Sequence, residues 1–81
     1  MTSYDDYTLY YSKNCPYCMK VLRFMNENGI SMEKRDTSLP GVKRELVNIG
    51  GKPQVPCLVV NNEALYESDD IIEYLREKQT A

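Results

Sequence analysis

The stretch Ser12-Lys13-Asn14-Cys15-Pro16-Tyr17-Cys18-Met19-Lys20 places two thiols three positions apart around a proline. Such a pair can ligate a metal, form a permanent crosslink, or open and close a disulfide in turnover. A structural zinc site takes four ligands, mostly Cys and His, but only Cys57 remains beyond the pair and the chain contains no histidine. A permanent disulfide across so short a loop restrains little of the unfolded chain. Reversible thiol–disulfide exchange is therefore the favoured chemistry.

Exchange proceeds through the thiolate, and an ordinary cysteine, with a pKa near ~8.5, is only slightly ionised at neutral pH. The neighbouring elements must supply the activation. Thr8-Leu9-Tyr10-Tyr11 reads as a strand that runs into the polar loop Ser12-Lys13-Asn14. From Pro16 onward, Cys18, Val21, Leu22 and Met25 recur at helical spacing until Asn28-Gly29 supplies a stop. Proline suits the first helical position, where its missing N–H would be unpaired anyway. Cys15 then sits at the positive end of a helix dipole among free N–H groups, which favour an anion there. Lys13 and Lys20 add to the positive field. Cys18 lies one turn further in, shielded from substrate yet able to reach Cys15 and resolve a mixed disulfide. Tyr17 is expected to point outward and flank the cleft.

The remaining chain supplies a scaffold for this junction. Ile30 to Asp36 reads as a second strand, and a second helix is expected with Ser38 as its cap, Pro40 in its first turn and Val42, Leu46 and Ile49 on its apolar face. Gly50-Gly51 ends it. Cys57-Leu58-Val59-Val60 and Glu63-Ala64-Leu65-Tyr66 form a hairpin about Asn61-Asn62. Ser68-Asp69-Asp70 then opens a last helix carrying Ile71, Ile72 and Leu75. The order β-α-β-α-β-β-α packs most economically as one mixed sheet covered by helices on both faces. Cys57, in an apolar strand, reads as a small core residue.

Composition excludes several classes. At 81 residues the chain has room for one domain of modest core, here residues 1–81. The net charge of −2, with no basic block beyond Lys43-Arg44, offers little to nucleic acid. No apolar run approaches the ~20 residues of a membrane span. The start, MTSYDDYTLYY, has neither a basic leader nor an apolar core, and with three cysteines that need no pairing it points to a cytoplasmic protein.

CPYC, together with Gln54-Val55-Pro56 and Tyr66-Glu67-Ser68-Asp69-Asp70-Ile71, resembles the glutaredoxin family, and the similarity runs in order from Leu9 to about Arg76. The resemblance implies a thioredoxin-like fold with a four-stranded mixed sheet flanked by three helices. It implies glutathione as reducing cosubstrate with no tightly bound cofactor, and Cys15 as nucleophile. By family pattern the Val55-Pro56 bond is cis and turns the Val55 backbone toward the cysteinyl part of glutathione. Ser68 and Asp69 match the segment that holds the γ-glutamyl end, and Lys13 is offered to the glycyl carboxylate. Tyr17, Gln54 and Glu67 complete the implied glutathione-binding set. Two departures are evident: Gln-Val-Pro stands where Thr-Val-Pro is usual, and Glu67-Ser68 replaces a Gly-rich approach. Both resemble the glutathione-binding half of glutathione transferases, which carry a further helical domain.

The expected protein is a monomeric glutathione-dependent oxidoreductase acting on protein disulfides and glutathionylated proteins, without nucleic-acid or membrane partners. Two alternatives stand beside it. One is a redoxin served by thioredoxin reductase and donating to ribonucleotide reductase; the other is an iron-sulfur carrier with a cluster shared through Cys15 and glutathione.

Overall fold

The computed structural model describes residues 4–80; residues 1–3, which open the stretch read as lacking a leader, lie outside them. Strands β1 (Tyr7–Tyr11), β2 (Glu33–Asp36), β3 (Cys57–Val60) and β4 (Glu63–Leu65) alternate with helices α1 (Pro16–Glu27), α2 (Val42–Gly50) and α3 (Ser68–Thr80) in the order β1-α1-β2-α2-β3-β4-α3. They form one sheet ordered β2-β1-β3-β4. The crossover through α1 makes β1 and β2 parallel, and both β1/β3 and β3/β4 are antiparallel. This is the thioredoxin-like α/β architecture.

Side-chain alternation divides the core between the two sheet faces. Leu9 and its register partner Leu58 face α1 and α3, packing with Val21, Met25, Ile71 and Leu75. Tyr10 and its partner Cys57 face the other way, onto Val42 and Leu46 of α2. Burying a large apolar side chain contributes about 1.5–3 kcal/mol, so a slip of one residue in β1 would forfeit both layers at once. Tyr10 also donates its hydroxyl to Glu45 at 2.5 Å, and Arg35 grips the same carboxylate at 2.7 and 3.2 Å, which fixes α2 to the sheet.

Two sequence expectations shift. The second strand begins at Glu33 and not at Ile30, because α1 ends in a Schellman motif that claims the intervening residues. Gly29 adopts φ +65, the Ile30 N–H bonds the Met25 carbonyl at 2.9 Å, and the Ile30 side chain enters the core beside Met25. Ser38 does not cap α2. Asp36 takes both its N–H and its hydroxyl, at 2.9 and 2.7 Å, and the helix starts at Val42 behind Gly41. A carboxylate two residues upstream outcompetes the helix end for that serine. The hairpin turn is as read, with Asn61 and Asn62 both at positive φ, the backbone a two-residue type I′ turn requires. The returning strand stops at Leu65, leaving Tyr66 outside it.

Candidate active site

Cys15 is the residue at which β1's exit loop becomes helix α1. Its backbone is extended, with φ −104 and ψ 111, Pro16 follows as the first helical residue, and its sulfur accepts the backbone N–H of Cys18 at 3.2 Å. The sulfur thus serves as the helix cap that a serine or aspartate oxygen more often provides. The first turn of α1 aims a backbone donor at that atom. Cys15 is partly exposed, whereas Cys18 is fully buried. Burial, and then the hydrogen bond and charge of Cys15, push the Cys18 thiol up to about 12. Of two cysteines one turn apart, one is presented to solvent and the other is kept protonated beneath it. No disulfide joins them in this structure.

The Cys15 thiol lies 3.8 Å from the carbonyl oxygen of Val55, forty positions away in the chain. The Val55–Pro56 peptide is cis, as the family pattern implies. Beside it runs a cleft of about 320 Å³, lined by Tyr17 from the first turn of α1, by Gln54, Val55 and Pro56 from the approach to β3, and by Glu67, Ser68 and Asp69 from the start of α3. Sequence reasoning placed all seven in one ligand-binding set, and the fold brings all seven to one cleft. Tyr17 is 66% exposed and flanks the opening. Gln54 Nε2 meets Glu67 Oε1 at 3.5 Å, joining the two walls at the rim.

Glu67 occupies φ +62, a left-handed conformation at the bend into α3, where glycine would sit without strain. Its carbonyl accepts the N–H of Ile71 at 3.0 Å and so starts the helix. Ser68 is buried, and Asp69 is exposed and ion-paired with Lys20 of α1. Lys13 lies outside the cleft lining, its ammonium 4.0 Å from Asp36. The third thiol, Cys57, is completely buried behind Pro56, and burial pushes it up to about 11. That is the inert core cysteine the sequence suggested.

Sequence reasoning passed over the ties that hold the cleft. From the sequence, Lys20 is only part of a positive field near Cys15, and Tyr66 is the end of the returning strand. The ion pair of Lys20 spans 49 positions, and the Tyr66 hydroxyl reaches the Lys52 carbonyl 14 positions away. No local pattern announces either contact.

No curated protein matches the sequence. Among solved structures, the chain superposes on glutathione transferase Omega 3C from Trametes versicolor with a TM-score of 0.82 at 24% identity, covering 94% of this chain and 34% of that one. The holo form of glutaredoxin C1 from Populus tremula x tremuloides gives a TM-score of 0.70 at 18% identity, over 96% of this chain and 82% of that one. The glutaredoxin from Archaeoglobus fulgidus gives 0.69 at 24% identity, over 89% and 87%. At these identities the likeness establishes the thioredoxin-like fold, and the chain spans about a third of the length of the transferase. The family described as "Glutathione S-transferase, N-terminal domain" matches residues 9–81. The glutaredoxin resemblance stands at the level of shared fold. With nearly its whole length matched, the chain belongs to the glutathione S-transferase N-terminal domain family.

Proposed function

We propose that this protein is a glutathione-dependent thiol–disulfide oxidoreductase, with residues 1–81 working as one domain. The observation that carries the reading is the Cys15 sulfur, capping α1 under the Cys18 N–H and opening beside the Val55 end of the cleft. A transferase that adds glutathione to electrophiles has no need of a second, buried cysteine within reach of the first.

The Cys15 thiolate attacks one sulfur of a substrate disulfide. The S–S bond breaks, the departing sulfur takes a proton from water, and Cys15 is left in a mixed disulfide. Burial still raises the Cys18 pKa at that point, but the hydrogen bond and charge of Cys15 no longer add to it. Its sulfur attacks that of Cys15, the Cys15–substrate S–S bond breaks, and the proton Cys18 gives up passes to the expelled second substrate thiolate. One glutathione thiolate reopens the Cys15–Cys18 disulfide by bonding to Cys15, and Cys18 regains its proton. A second glutathione attacks the first and leaves as glutathione disulfide. Two glutathiones are oxidised for each disulfide reduced.

The cleft offers partners for two parts of that tripeptide, the cysteinyl and the γ-glutamyl. The Val55 backbone pairs with the cysteinyl portion, which lays its sulfur toward Cys15. The Asp69 carboxylate accepts the γ-glutamyl ammonium, and the N–H groups opening α3 at Ser68 meet its carboxylate. Tyr17, Gln54 and Glu67 flank the bound chain.

Cys15→Ser, assayed in glutathione-coupled disulfide reduction, tests the reading: activity is lost, and retained activity overturns Cys15 as nucleophile. Cys18→Ser spares reduction of glutathione mixed disulfides and impairs reduction of protein disulfides; equal loss on both contradicts the division of labour.

A further inference from the structure

Tyr66 stands between the two stretches that wall the cleft without lining it. It directly precedes Glu67 and Ser68 in one wall. Its hydroxyl donates to the Lys52 carbonyl oxygen at 3.0 Å, two residues before Gln54 in the other wall. Lys52 in turn holds its ammonium 4.6 Å from the centroid of the Tyr66 ring, a cation–π contact.

The fit at Gly50 is tight. A Cβ there would stand 2.0 Å from the Tyr66 hydroxyl oxygen and 2.9 Å from both the ring carbon bearing it and the Ala64 Cβ. Gly50 is the last residue of α2, and Gly51 turns the chain at φ +89. The backbone thus leaves α2 against the Tyr66 ring and is tied to its hydroxyl at Lys52 before it reaches Gln54 and Val55. Between Lys52 and the cis bond, Pro53 contributes no N–H, so the Tyr66 bond acts where the chain itself has one fewer means of anchoring.

We infer that Tyr66 is a positioning residue that locks the segment from Gly50 to Val55 to the start of α3, setting the separation of the cleft walls and thereby the affinity for glutathione. The ligand's identity rests on the proposed function; the coupling of the walls does not.

Tyr66→Phe keeps the ring and removes the hydroxyl. In that variant the backbone amide order parameters of Gln54 and Val55 fall from the rigid range near ~0.85 toward ~0.6, while those of β1 and β3 stay unchanged. The glutathione Kd, by calorimetry, rises about three- to tenfold, the scale of one lost hydrogen bond. Alkylation of Cys15 by iodoacetamide without glutathione stays within about twofold, since the reacting sulfur is untouched. Gly50→Ala pushes the ring away and gives the same pattern more strongly. Unchanged order parameters at Gln54 and Val55 in Tyr66→Phe, or an unchanged Kd where the wild type binds, overturn the inference. A wild type that binds no glutathione overturns the proposed function, and the order parameters then decide the wall coupling alone: a fall supports it and no change overturns it.

Discussion

The sulfur of Cys15 accepts the backbone N–H of Cys18 across 3.2 Å, while the side chain of Cys18 is itself fully buried. One short helical turn therefore separates a partly exposed sulfur with a donor aimed at it from a buried, protonated one.

Alkylation reads this asymmetry directly. Brief iodoacetamide treatment of the native, reduced protein between about pH 7 and 9 yields a single adduct, and peptide mapping places it on Cys15. Cys18 and Cys57 are spared because burial pushes them up to about 12 and about 11 respectively. Denaturant exposes all three. Adducts on Cys18 or Cys57 under native conditions would contradict the assigned burial.

Asp69 separates binding from stability. Its ion pair with Lys20 is solvent-exposed at both ends, and exposed pairs contribute only about 0–1 kcal/mol. Asp69→Asn is expected to leave the Tm nearly unchanged and to raise the glutathione Kd about three- to tenfold, through loss of a charge-assisted hydrogen bond to the ligand ammonium. A lowered Tm with unchanged Kd would make Asp69 a structural residue only.

Glu67 carries a cost that glycine would remove. Relief of the left-handed strain at φ +62, about 1–2 kcal/mol, exceeds the extra freedom glycine gives the unfolded chain, about 0.5–1 kcal/mol. Glu67→Gly therefore stabilises the fold by about 0.5–1 kcal/mol while weakening glutathione, as it deletes the rim contact to Gln54. Stabilisation with unchanged affinity would remove Glu67 from the binding set.

Glu45 predicts an acid edge to stability. The hydrogen bonds from Arg35 and then Tyr10 hold its carboxyl below the usual range. A group whose folded pKa is depressed contributes stability above its unfolded value, about 4.3, and loses it as pH falls through the folded value. Asp36 acts in the same direction, held low by the Ser38 hydroxyl and N–H. Urea unfolding should show Glu45→Gln less stable than wild type at neutral pH, with the two curves converging on acidification below about pH 4. A constant gap across that range would refute the charge-based account.

The division between sequence and structure follows the range of the forces involved. Capping and turn preferences act within a few residues, so Cys15-Pro16, Asn28-Gly29 and Asn61-Asn62 announced their roles, and the element order was legible from periodicity. Even there, Asp36 took Ser38 from the helix it was expected to cap, because two local preferences competed and the nearer carboxylate won.

The members of the cleft were legible through the family resemblance: composition and spacing alone read Ser68 as the opening of a helix and gave Val55-Pro56 no role. What held them together was not legible. The Lys20–Asp69 pair and the contact of Tyr66 with Gly50 and Lys52 arise only after the sheet brings α1 beside α3 and the exit of α2 beneath the end of β4. The sequence alone determined the chemistry available at Cys15 and Cys18, since residue type and one helical turn suffice for that. Tertiary structure decided what ties the cleft walls together beside Cys15, because ion pairs and hydrogen bonds between distant segments exist only once those segments pack.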